Sequence, residues 1–339
     1  MKRDIECTHP SHRVARLKKL IIYAIGSMAF ALAPAIAAAQ SYPSKIVRIV
    51  VAQAPGSSAD VVARILAKKL NEHWNNPVIV ENKPGANGNI GMGAVATAAP
   101  DGYTLGLAVP SVMTVNPFVY KNMSFKPMED LVPVTQVTSI EFGLFVNPEL
   151  PIKTVEELIS YSKKKTEGLT YSSAGVGNLG HLAGELFAGQ AGVTMRHIPN
   201  KGDTPGLLDV MSGSTDMMFA PLPSALGFVR SGKLTLLAVA SRKRTTSFPD
   251  VPTLIESNLP NAITEGWTGI VAPAGTPPSV IAEIEQAVNN ILKDQEVTAA
   301  INSQGFDVAG TSSESFGQLM QADTLKWGQV IEKAGIKFN

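Results

Sequence analysis

The chain has 339 residues, 45% hydrophobic and 17% charged, with 29 Lys and Arg set against 28 Asp and Glu. That composition is ordinary for a soluble globular protein, and the length exceeds one typical core, so two lobes are expected. The near-neutral charge gives no electrostatic case for nucleic acid or an anionic membrane, and the single cysteine, Cys7, provides no disulfide framework.

The first residues carry Lys2, Arg3, Arg13, Arg16, Lys18 and Lys19, followed by an uncharged apolar run from Leu20 to Ala33 and then Ala37-Ala38-Ala39. A basic start, a short apolar stretch and an A-x-A site predict a secretory signal peptide over residues 1–39. The run is shorter than the roughly 20 residues a membrane span needs. Cleavage after Ala39 removes Cys7 together with six basic and two acidic residues, leaving 23 basic against 26 acidic. Thiolate catalysis, disulfides and cysteine-held metals are then excluded.

Further along, short β-branched runs alternate with helical patterns. A strand over Ile46–Ala52 precedes a helix over Ser58–Trp74, in which Val62, Leu66, Leu70 and Trp74 line one face. A strand at Val78–Asn82, a helix near Ile90 and a strand at Thr104–Val109 follow. A second series runs Leu169–Ser173, helix Leu179–Ala191, Thr194–Ile198, helix Thr204–Ser212, Asp216–Ala220 and Leu234–Ala240. This alternation predicts α/β layers with mainly parallel sheets.

The joints have a common form. Val132–Val137 is followed by Gly143–Val146 and "NPELPIKTVEELI"; Leu234–Ala240 is followed, after a longer insert, by Thr268–Ala272 and "PAGTPPSVIAEIE". Each reads as strand, crossing, strand, proline turn, helix. Two crossings predict one lobe from residues 42–140 plus 265–339, and a second lobe, residues 141–264, inserted into it. A ligand is then expected in the cleft between them, at the carboxyl ends of strands.

Two turns stand out as chemistry-bearing. Gly175-Val176-Gly177-Asn178-Leu179-Gly180 is a G-x-G-x-x-G between a strand and a helix. A dinucleotide site also needs an acid at the end of the next strand, and "MRHIPNK" has none; Asp203 lies past a turn. Two other readings remain: glycines that permit close helix-to-strand packing, or helix N-terminal amides that hold a small anion such as a carboxylate. Ala54-Pro55-Gly56-Ser57-Ser58-Ala59-Asp60 is a matching turn in the first lobe. Asp60 reads best as a first-turn acid that orders the loop, rather than as a catalytic group.

Six stretches, "YPSKIVRIVVAQAPGSSADVVARILAKKL", "VIVENKPGANGNIGMGAVATAAPDGYTL", "YSSAGVGNLGHLAGELF", "DMMFAPLPSAL", "LAVASRKRTTSFPDVPT" and "WTGIVAPAGTPPSVI", span nearly the whole mature chain in order. With them the chain resembles the Bug/TctC family, the periplasmic solute receptors of tripartite tricarboxylate transporters and their orphan relatives. The resemblance implies a two-lobed periplasmic binding protein of type II, a Venus flytrap that closes on a small carboxylate held by main-chain amides and waters. It implies no cofactor and a monomer that serves membrane transporter subunits or a sensor kinase. The family's ligand loops map to Pro55, Gly56, Ser57 and Ser58, and to Ser173, Ala174, Gly175, Gly177, Asn178 and His181. Asp60, Ser111, Asn200, Ala220 and Pro221 complete the expected ligand-binding set.

Three departures bear on the ligand. Ser57 stands where the family often has a second glycine, Asn200 replaces a frequent tyrosine, and Ala220-Pro221 replaces a frequent Asp-Asn. An apolar wall at Ala220 facing the cleft suits a carboxylate without a free amine, because an ammonium there is desolvated without a partner. Tricarboxylates, C4 dicarboxylates and aromatic acids all fit the same half-sites. The other class considered is a secreted α/β enzyme or a nucleotide-binding protein using Gly175–Gly180. Against an enzyme, the mature histidines His73, His181 and His197 fall in no catalytic motif, and no base is visible beside Ser173. His73 and His197 read as structural, whereas His181 is either a ligand donor or solvated. The runs Lys163–Lys165 and Arg242–Arg244 read as solvated faces.

The export reading makes a direct prediction. N-terminal sequencing of protein recovered from the periplasm should begin near Gln40, and functional protein that retains residues 1–39 would contradict it.

Overall fold

The structure is a computed structural model that describes residues 42–336. The expected leader, residues 1–39, lies outside the described residues. Counting only helices of eight residues or more, β1 (Val47–Val51), α1 (Ser58–Trp74), β2 (Val78–Asn82), α2 (Asn89–Ala96) and β3 (Thr104–Ala108) come first. Next is a long strand, β4 (Leu131–Val146). After it run α3 (Val155–Lys164), β5 (Leu169–Ser173), α4 (Leu179–Ala191), β6 (Met195–Pro199), α5 (Asp203–Met211), β7 (Met217–Pro221), α6 (Leu222–Arg230) and β8 (Thr235–Val239). The chain then returns through β9 (Glu265–Pro273), α7 (Pro278–Ile291), α8 (Gln295–Ser303), β10 (Asp307–Val308) and α9 (Ser313–Ala334).

The helices form where periodicity and caps coincide. In α1, Val62, Leu66 and Leu70 are fully buried, and each such side chain contributes about 1.5–3 kcal/mol on burial. Ser57 caps its start, and Asn75 ends it in a left-handed conformation with φ 48°. Helix α3 begins with a capping box between Thr154 and Glu157.

The strand order is β2-β1-β3-β9-β4-β7-β5-β6, with β8 and β10 also paired to β4. Parallel pairing joins β1 to β2 and β3, and β5 to β6 and β7. Antiparallel pairing joins β9 to β3 and β4, and β4 to β7, β8 and β10. The sheets are therefore mixed rather than mainly parallel. The βαβ units give the parallel pairs, and the strands that carry the chain between lobes give the antiparallel ones.

The expected break between Val137 and Gly143 is absent. One continuous strand runs through, pairing with β9 from Leu131 to Glu141 and with β7 from Phe142 to Val146. Register shifts between Pro133 and Thr135 and between Gln136 and Thr138 bend it. One buried cluster joins Ile49, Leu66, Leu107, Ile270, Ile284 and Val288, and another joins Leu144, Leu158, Tyr171, Phe187 and Phe219. These are the cores of the two lobes. No helix among the described residues is long and apolar enough to cross a membrane.

Gly180, in the first turn of α4, lies against β7, where an added Cβ would run into the carbonyl oxygen of Phe219. The close-packing reading holds for this glycine. Gly180→Ala should therefore destabilise the protein by about 1–3 kcal/mol in chemical denaturation, despite alanine's higher helix propensity. Gly227→Ala in α6 meets nothing within 4 Å and should be neutral or stabilising. Equal effects at the two positions would refute the packing role.

Candidate ligand-binding cleft

The turn from β1 into α1 is closed by its own side chains. Gly56 has φ 80°, a conformation that favours glycine. Its N–H donates to Asp60 Oδ2 at 2.9 Å, and Asp60 N–H donates to Ser57 Oγ at 3.3 Å. The Asp60 carboxylate also accepts from Arg64 Nε at 2.9 Å and Asn82 Nδ2 at 2.9 Å. These bonds, that of Arg64 first, hold the carboxyl down at about 2. With only 2% of its surface exposed, Asp60 orders the loop and does not line the cavity onto which the turn opens.

The turn from β5 into α4 has the same logic with different residues. Asn178 caps α4 by accepting from His181 N–H at 2.8 Å. Gly175 and Gly177 take φ values of 145° and 74°. Gly177 N–H donates to Nδ1 of His181 at 3.0 Å. The His181 ring lies flat on that of His197, with centroids 3.8 Å apart and planes 7° apart. His197 Nε2 is 2.6 Å from Ser173 Oγ, which also accepts from Gly175 N–H at 3.1 Å. Burial pushes His181 down to about 3, helped by the charge His197 would carry, and pushes His197 down to about 4. Both rings are neutral at physiological pH, which keeps the Nδ1 lone pair available to Gly177.

Both turns open on one cavity of about 610 Å³. In each helix the first two backbone amides, those of Ser58 and Ala59 in α1 and of Leu179 and Gly180 in α4, have no acceptor among the described residues. All four residues line the cavity. The third amide of each helix is bonded by the cap side chain and the fourth by the cap carbonyl. The residues of the uncapped pair in each lobe thus both border the cavity. Ile140, Phe142, Trp267 and Phe306 supply apolar walls, and Trp267 Nε1 is fixed by Asp323 Oδ2 at 2.8 Å.

Of the residues expected from sequence, Ser57, Ser58, Ser111, Ala174, Gly175, Asn178 and Pro221 line the cavity. Pro55, Gly56 and Gly177 stand in the turns but off the wall; the glycines are required for backbone conformation rather than for close approach of an anion. His181 is neither a ligand donor nor solvated, because its ring is buried between Gly177 and His197. Ser173 is fully buried with a histidine beside it, so the expectation that it lacks a neighbouring base does not hold, although its hydroxyl faces the loop rather than the cavity. Asn200 turns away to donate to Asp209 Oδ2 at 2.9 Å. Ala220 does not form the cleft wall: it is fully buried against Phe145, Leu207 and Met218. Residues not anticipated on the wall include Gln53, Asn87, Asp203, Trp267 and Thr268.

Residues 62–336 match the profile of the family described as tripartite tricarboxylate transporter family receptor. The chain is 33% identical to protein BugT of Bordetella pertussis over 300 residues, 88% of this chain and 92% of BugT. Among solved structures it resembles Rpa4515 of R. palustris with adipate, at 30% identity and TM-score 0.73, covering 88% of this chain and all of that one. It also resembles MatC from Rhodopseudomonas palustris with bound malate, at 29% identity and TM-score 0.70, covering 86% of this chain and all of that one.

The stacked histidines make acid stability testable. Unfolded histidine titrates near 6.5. Between that pH and the depressed folded values of about 4 and about 3, the unfolded chain binds more protons, so stability falls as pH drops through this window. The melting temperature should decline between pH 7 and pH 4.5, and His181→Gln with His197→Gln should flatten that decline even while lowering stability at pH 7. An unchanged slope would show that the pair is not buried in neutral form.

Proposed function

The chain belongs to the tripartite tricarboxylate transporter receptor family, and on that premise we propose that it binds a small di- or tricarboxylate, or an aromatic carboxylate, in the cleft between its lobes. Relatives in this family are periplasmic substrate-binding receptors, not enzymes, and the coarse role of a periplasmic receptor for small carboxylates follows from them. The observation that carries the finer reading is the pair of helix N-termini whose first two amides lack acceptors and line one cavity. Each helix end contributes about 0.3–1 kcal/mol toward an anion when exposed and up to ~2 when partly buried. Charge-assisted hydrogen bonds from the amides add to this. In this reading Ser57, Ser58, Ser111, Ala174, Gly175 and Asn178 line the anion sites, and Pro221 belongs to the wall.

The proposed lobes are residues 42–140 with 265–339, and residues 141–264. Adipate and malate in the two R. palustris structures support carboxylates of this size. The receptor is proposed to deliver ligand to membrane transporter subunits, in keeping with the family's description, and to do so as a monomer. Export to the periplasm with cleavage near Ala39 belongs to the same proposal.

A thermal-shift panel of carboxylates tests it, because a ligand at 100 times Kd stabilises the folded state by about 2.7 kcal/mol. Ser58→Asp places a negative charge in the first turn of α1, where it suits the helix but repels a bound carboxylate. The variant should keep or raise the ligand-free melting temperature and weaken carboxylate binding about tenfold or more. Normal binding by Ser58→Asp would remove the first-lobe turn from the site.

A further inference from the structure

We propose that Asp203 makes this receptor selective for a carboxylate that also bears a cationic nitrogen, with the ammonium seated against Asp203 and the carboxylate on the helix N-termini. This rests on the carboxylate-receptor reading above and deepens it by naming the ligand's second charge.

Asp203 is the only ionisable side chain among the described residues that line the cavity. Acids elsewhere around the second-lobe turns are engaged. Asp216 accepts from Lys165 Nζ at 2.7 Å and from Thr170, Asp209 accepts from Asn200, and Glu185 accepts from the Tyr171 hydroxyl at 2.5 Å. Asp203 alone among these has no hydrogen bond or ion pair among the described residues. Its position is nonetheless fixed: Gly202 N–H donates to Ala174 O at 3.2 Å, and Asn200 N–H donates to Ser173 O at 2.9 Å. These bonds tie the start of α5 to the glycine turn, so the acid and the second-lobe amides share one wall.

The chemistry follows from what surrounds the group. Burial raises the Asp203 carboxyl, since no cation offsets the desolvation of its charge. An amine-free dicarboxylate would add further negative charge to a cavity with no lining cation, and would either be repelled or have to leave Asp203 protonated. A ligand with one ammonium pairs with the acid and leaves its carboxylate to the amides, so every charge in the closed space has a partner. The loss of an acid at Ala220 does not argue against an amine, because that residue is in the core. The acid is supplied from the start of α5 instead.

Calorimetry on the mature chain with matched pairs, aspartate and succinate, glutamate and glutarate, 4-aminobutyrate and butyrate, tests the assignment. In at least one pair the amino acid should bind tenfold or more tightly than its amine-free partner. Asp203→Asn should abolish or invert that preference, weakening the amino member while sparing or strengthening the other. Ser58→Asp should weaken both members alike. A wild-type preference for the amine-free acid in every pair, or a ratio unchanged by Asp203→Asn, overturns the role of Asp203 and leaves the receptor reading standing. Failure of every member and of a wider carboxylate panel to bind overturns both.

Discussion

The strand Leu131–Val146 carries backbone hydrogen bonds in both halves of the molecule and frames the cleft between them, alongside an apolar contact in which Leu182 of α4 packs with Trp327 and Ile331 of α9. The strand pairs with β9 as far as Glu141 and with β7 from Phe142, so the changeover occupies one peptide step. Ile140 and Phe142, on either side of that step, both line the cavity. Gly143 follows, where an added Cβ would come within 2.7 Å of Phe145 and 2.6 Å of Leu236. The lobes therefore meet on a continuous strand with little lateral room, and the carboxyl ends of β1 and β5 open on the same space.

At those ends the caps divide the labour within each helix turn. Ser57 and Asn178 satisfy the third amide, and their carbonyls satisfy the fourth, leaving the first two toward the cavity. Holding such amides in place requires that the loop before them not move, and the two lobes achieve this differently. In the first lobe an ionised acid, Asp60, gathers Gly56, Arg64 and Asn82. In the second, a neutral histidine accepts from Gly177 and rests on another histidine. There a neutral imidazole accepts the Gly177 N–H without adding a negative charge beside the first amides of α4.

Much of this architecture is legible in the sequence. The α1 stripe, the bounds of α4 and the strands β2 and β5 follow from periodicity and turn residues. The unbroken β4 is not, because Thr138-Ser139-Ile140-Glu141 breaks the apolar run; its backbone is satisfied by β9 and β10, partners far away in sequence. Both turns are singled out in the sequence by glycine and hydroxyl content and both reach the cavity, yet which of their residues face it is not legible. Strand β7 is buried on both faces as far as Ala220, so its apolar pattern does not say which side each residue takes, and Ala220 goes to the core while Pro221 reaches the wall. The His181–His197 stack likewise depends on two elements meeting side by side. Asp203 escapes notice because its place is set by loop-to-loop hydrogen bonds that no local pattern encodes.

A cleft whose described lining residues include one acid and no cation handles charge differently from one lined with arginine. Guanidinium groups attract any anion from a distance and hold it in whatever ionisation state it brings. Amide dipoles act only at contact, and their pull fades beyond the first turn of each helix. The receptor consequently offers a carboxylate little long-range attraction, and discrimination falls to the final desolvated contacts, where an unpaired charge is most expensive. In such a setting one fixed carboxylate has more influence than it would among many charges, because no cation among the described residues lines the cavity with it.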